Sequence, residues 1–198
     1  METTLHTTRP RRVRTLAAVG LVALLLATAA CGDDKTDAQL ANETLQRGLT
    51  AHAAGDIPTA REAYRQTLTY DPTNAFALYN LGLLAQEDGD PELAEGFYRQ
   101  AVDSDPDFTS ALYNLAILRS DVGATAEAAT LYQRVIELKP DYAPAHLNLG
   151  FALRDLGEKK AGNEQIAVAI ELDPNLAQRI PGDVAGEVTK DTPQDPST

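Results

Sequence analysis

The side chains best suited to chemistry in this 198-residue chain are few: one cysteine, Cys31, and three histidines, His6, His52 and His146. No two histidines stand at a spacing that would close on a metal ion, no nucleophile has a base nearby in sequence, and no glycine-rich loop is shaped to cradle a phosphate. A lone cysteine excludes a disulfide framework and a cysteine-rich metal site. His146 falls at a buried-type position of a helical pattern and reads as core; His52 closes a helix. The sequence therefore offers no catalytic constellation, no metal site and no cofactor site. Cys31 is different, because of what precedes it.

Arg9, Arg11, Arg12 and Arg14 give a cationic start, and Leu16–Ala30 then runs fifteen residues without a charge. A membrane-spanning helix needs about 20 apolar residues, so this run fits the core of a secretory signal peptide over residues 1–30. The ending "LATAAC" resembles the lipobox of bacterial lipoproteins, with Thr28 where that family usually has Leu. The resemblance implies cleavage before Cys31, a diacylglycerol on its thiol, and a chain anchored to the extracytoplasmic face of a membrane by its acyl chains. Residues 1–30 hold four Arg and one Glu, so 13 basic and 28 acidic side chains remain, a formal charge of −15. Such a surface repels nucleic acid and favours a cationic partner.

The elements that would position any site come from a repeat. "ALYNL" at Ala77–Leu81 recurs 34 residues later at Ala111–Leu115, and "AHLNL" follows at Ala145–Leu149. Laid out at this period, the chain gives four blocks: 41–74, 75–108, 109–142 and 143–176. Each carries a midpoint glycine (Gly55, Gly89, Gly123, Gly157) and a closing proline (Pro72, Pro106, Pro140, Pro174). Small residues form two columns, Gly48/Gly82/Ala116/Gly150 and Ala60/Ala94/Ala128/Gly162; a large column is Tyr64/Tyr98/Tyr132/Ile166. Apolar residues at helical spacing on both sides of the midpoint make each block helix, glycine turn, helix. Thr36 and Gln39 form a capping-box pair that starts the first helix near Asp37; Asp56 and Asp90 are N-caps of second helices. Arg47 and Thr67 break the pattern in the first block, which is expected to pack less tightly.

These columns resemble the tetratricopeptide repeat over residues 41–176. The resemblance implies an all-α solenoid: four helix-turn-helix repeats forming a right-handed superhelix, concave on the side of the first helices. Residues 31–40 are then the lipidated cysteine, a tether and the first-helix start, and 177–198 a disordered tail. No helix remains to cover the last repeat, leaving Ile166, Val168 and Ile170 thinly covered and suited to a second copy or a partner.

The resemblance places Asn80, Asn114 and Asn148 on the concave face, with the apolar columns Tyr79/Tyr113/Leu147 and Leu83/Ile117/Phe151 beside them. A carboxamide both donates and accepts, so a row of three could follow the backbone of an extended peptide. Glu87, Asp121 and Asp155 end the first helices as an acidic column that would draw basic side chains. The function implied is a non-catalytic adaptor that holds a segment of a partner protein. The alternative is a structural assembly factor of a cell-envelope machine, pilotin-like or self-associating.

Overall fold

The structure is a computed structural model and describes residues 35–191. The leader, Cys31 and the last seven residues lie outside the described residues, and no helix among those described is long and apolar enough to cross a membrane. Eight helices form four antiparallel hairpins: α1 (Asp37–Ala53) with α2 (Ile57–Tyr70), α3 (Ala75–Glu87) with α4 (Pro91–Ser104), α5 (Thr109–Asp121) with α6 (Thr125–Leu138), and α7 (Ala143–Asp155) with α8 (Lys159–Leu172). A 3-10 segment (Pro174–Arg179) and a ninth helix, α9 (Gly182–Asp191), follow.

Local chemistry sets these boundaries. Thr36 accepts from the Gln39 amide and the Gln39 side chain returns to the Thr36 amide, so α1 begins at Asp37. Asp56 and Asp90 cap α2 and α4, each with a proline in the first turn. The midpoint glycines all have φ between +77° and +88°, the left-handed conformation that lets a helix stop and reverse within three residues.

The inner columns are the hairpin cores. Tyr64, Tyr98 and Ile166 are fully buried and Tyr132 nearly so. A Cβ on Gly48 or Gly82 would sit within 2.6 Å of the Tyr64 or Tyr98 ring. In the fourth hairpin the approach is between backbones: a Cβ on Gly150 would lie 2.8 Å from the Gly162 carbonyl oxygen, and one on Gly162 2.6 Å from that of Gly150.

Two expectations are corrected. The first hairpin is not loose: Thr67 is fully buried and donates to Ala63 O, and a 3.0 Å bond joins its hydroxyl to that of Thr44. Both threonines stand in columns that are otherwise apolar or histidine, and each satisfies the other. Arg47 points outward and donates to Gln66. The segment from 177 to 191 is not a disordered tail. Leu176, Ile180, Val184 and Val188 are buried together with Ala143, Leu147, Ile166 and Ala169, and Ile170 and Phe151 pack against them. Arg154 of α7 holds Glu187 of α9 at 2.9 Å. The last hairpin therefore carries its own cover, which removes the exposed end that suggested a second copy.

Burial of the tyrosines has a consequence for pH. Loss of solvation pushes the Tyr98 phenol up to about 12, partly offset by the donor Asn114. Tyr64, Tyr79, Tyr113 and Tyr132 move in the same direction for the same reason. A folded value above the unfolded value of about 10 means stability is fully present below pH 10 and is lost as pH rises towards 12. Tyr98 alone contributes about 2–3 kcal/mol of that loss. Denaturant midpoints are expected to fall across this window, with phenolate absorbance rising together with loss of helicity. Absorbance that rises well before the helices melt contradicts it.

Candidate functional site

The residues singled out from the sequence lie on the first helix of each hairpin. Leu83, Ile117 and Phe151 are half-buried, and Leu49, one repeat earlier in the same column, is 36% exposed. Glu87, Asp121 and Asp155 are all exposed and are the last residues of α3, α5 and α7. Leu147 is buried, under the C-terminal segment.

Two of the asparagines, Asn114 and Asn148, are committed to the stacking of repeats. Asn148 Nδ2 donates to the Tyr113 hydroxyl at 3.1 Å. Asn114 Nδ2 lies 3.4 Å from both the Tyr79 and the Tyr98 hydroxyls, and the Tyr98 O–H donates to Gln86 Oε1 at 2.9 Å. Each of these amides thus ties its own repeat to the one before. Asn80 has Leu45 where a tyrosine would receive it, and its amide turns back to the Phe76 carbonyl at 2.7 Å. Each carboxamide thus spends at least one of its two N–H donors internally.

The sequence reading missed the partners of the tyrosine column. Phe108 lies 5.1 Å from the Tyr79 ring, and Tyr142 lies 5.1 Å from the Tyr113 ring. Both stand one residue before a first helix, where Asn74 caps α3 through its side chain; Phe108 and Tyr142 make no such bond. The cap, worth about 1 kcal/mol, is exchanged for ring contacts across the repeat junction. Phe76, at the start of α3, is 56% exposed and lies 5.0 Å from Phe108. Tyr79 and Tyr113 are accordingly half-covered, as are Leu83 and Ile117, and the more open apolar side chains are Leu49 and Phe76.

His146 is buried, with Nε2–H donating to Pro140 O at 2.9 Å and Nδ1 2.8 Å from Gln165 Oε1, so it holds the α6–α7 loop to α8. His52 Nδ1 lies 3.3 Å from the Tyr64 hydroxyl. No group of three or more His, Cys, Asp or Glu among the described residues is placed to hold a metal ion.

Two tetratricopeptide repeat models match the sequence, one over residues 45–107 and one over residues 120–157. No curated protein matches the chain in sequence. Among solved structures, a crystal structure of MamA superimposes with a TM-score of 0.66 at 24% identity, covering 78% of this chain and 83% of that one. A second MamA structure gives 0.62 at 26% identity, covering 72% and 82%. YrrB, described as a TPR protein with an unusual peptide-binding site, gives 0.58 at 21% identity, covering 76% and 74%. The fold is an all-α TPR solenoid of four helix-turn-helix repeats in a right-handed superhelix.

Proposed function

We infer from its fold, that of a tetratricopeptide repeat solenoid, that this chain is a protein-interaction module, that it is non-catalytic, and that it holds a partner segment along its first-helix face. The observation that carries the reading is the line of incompletely covered apolar side chains there: Leu49, Phe76, Leu83 and Ile117, one or two in each of the first three repeats, with the acidic ends of α3 and α5 on the same helices. An apolar strip bordered by polar groups is the usual form of a binding groove. YrrB supports the reading as a TPR protein with a peptide-binding site.

The asparagine amides make internal bonds, so they contribute less to a bound segment than a free row of carboxamides would. The apolar column supplies most of the contact, and Glu87, Asp121 and Asp155 favour basic residues in the segment. The sequence before Cys31 adds the proposal that the module works at the extracytoplasmic face of a membrane, tethered by a lipid on that cysteine.

Photocrosslinking in cells tests the groove. A photoreactive side chain at Ile117 is expected to capture a discrete partner, and one at Thr130, exposed on the second helix of the same hairpin, is not. Capture at Thr130 alone would sink the groove reading. Cys31→Ala is expected to stop processing and to abolish incorporation of a labelled fatty acid; unchanged fatty-acid incorporation overturns the anchor.

A further inference from the structure

We propose that the Phe76–Phe108 ring pair is a seat for a cationic side chain, arginine or lysine, presented by a partner. The two rings lie 5.0 Å apart with 49° between their planes, and Phe108 in turn lies 5.1 Å from Tyr79. Phe76 is 56% exposed, so a face of the pair is open to solvent.

The chain contains an internal comparison one repeat later. Tyr142 takes the place of Phe108 and Tyr113 that of Tyr79, at the same 5.1 Å ring separation. There the fold supplies its own cation: Lys139 Nζ stands 5.9 Å from the centre of the Tyr142 ring. The residue 34 before Lys139 is Asp105. The residue 34 after Phe76 is Ser110. One junction thus has a ring with a resident cation and no further exposed ring; the other has an additional exposed ring, and a carboxylate where the cation's stem would begin. Asp107, next to Phe108, is already paired with Arg134 at 2.6 Å, and that guanidinium also holds Glu137. Aromatic faces attract cations through their quadrupole, and the strong acidic excess of the chain adds charge complementarity. The site shares Phe76 with the groove reading and deepens it, but it needs neither the asparagines nor Ile117.

The probe is a tri-arginine peptide blocked at both ends, titrated at low salt against the soluble chain and followed by NMR shifts. A tri-glutamine peptide is the uncharged control. Phe76→Ala and Phe76→Leu are each expected to weaken tri-arginine binding about two- to five-fold, and Phe76→Trp to equal or exceed the wild type. The exposed position leaves the fold intact, which circular dichroism of each variant verifies. Phe76→Leu binding as tightly as wild type would show a merely apolar contact and overturn the proposal. So would equal affinity across all four proteins, or tri-glutamine binding equal to tri-arginine. Absence of crosslinking at Ile117, with the Phe76 variants ranking as expected, would overturn the groove alone.

Discussion

Gly162→Ala and Gly96→Ala are expected to move stability in opposite directions. Both glycines lie inside second helices, Gly162 in α8 and Gly96 in α4. By helix propensity alone each substitution gains up to about 1 kcal/mol. At Gly96 a Cβ meets nothing within 4 Å, so that gain is realised. At Gly162 the new methyl would lie 2.6 Å from the Gly150 carbonyl oxygen and 2.6 Å from Arg154 Cγ. Arg154 can shift at the expense of its contact with Glu187, but the backbone oxygen can retreat only if α7 moves off α8. Overpacking of this kind costs about 1–3 kcal/mol, so Gly162→Ala is expected to be a net loss of about 1–2 kcal/mol and Gly162→Leu a loss of about 3 kcal/mol or more. Urea denaturation monitored by helicity measures both. If Gly162→Ala stabilises as much as Gly96→Ala, the helices are not in backbone contact and the account of the fourth hairpin is wrong.

The same residues show what a reader of the sequence can and cannot recover. The small columns announce the hairpins because close approach of two helices excludes a side chain at one position per turn of the pattern, and the period repeats that demand every 34 residues. Caps such as Thr36, Asp56 and Asp90 are legible because their bonds reach only three residues. The Asn–Tyr ties span 35 residues, Tyr79 to Asn114 and Tyr113 to Asn148. They depend on how one repeat settles on the next, which the column layout leaves undetermined, and so a structural tie reads as a free binding group. Phe108 and Tyr142 are hidden for a related reason: they occupy a capping position with residues that do not cap, and their purpose lies on the preceding repeat. Thr67 looks like a defect until the structure sets it against Thr44.

Shortening the C-terminal segment is expected to reveal how far the solenoid depends on a helix that the repeat pattern conceals. Ile180 and Val184 follow His146 and Gly150 by 34 residues, and Val188 follows Arg154 likewise, so the end of the 3-10 segment and α9 together stand where a fifth first helix would run. Its outward positions are polar: Asp183 corresponds to the buried Leu81, Leu115 and Leu149. That exchange fits a helix at the end of a stack, since a solenoid end needs a polar outer face. Pro181–Gly182 disguises the segment by breaking the helix just where the column pattern would be recognised. Truncating Ile180 to Ala in a rigid core would cost about 2–5 kcal/mol. Here the loss has a ceiling, because a weakened α9 can detach while the four hairpins stay folded. Ile180→Ala and Val184→Ala are therefore expected to be less than additive in global stability, with the double variant matching a chain ending at Asp173. Detachment uncovers Leu147, Ile166 and Ile170 together, so the double variant and the shortened chain are expected to self-associate at concentrations where the intact chain is monomeric, as read by light scattering. Fully additive losses, or a shortened chain as stable and as monomeric as the intact one, would show that the segment covers nothing the hairpins need covered.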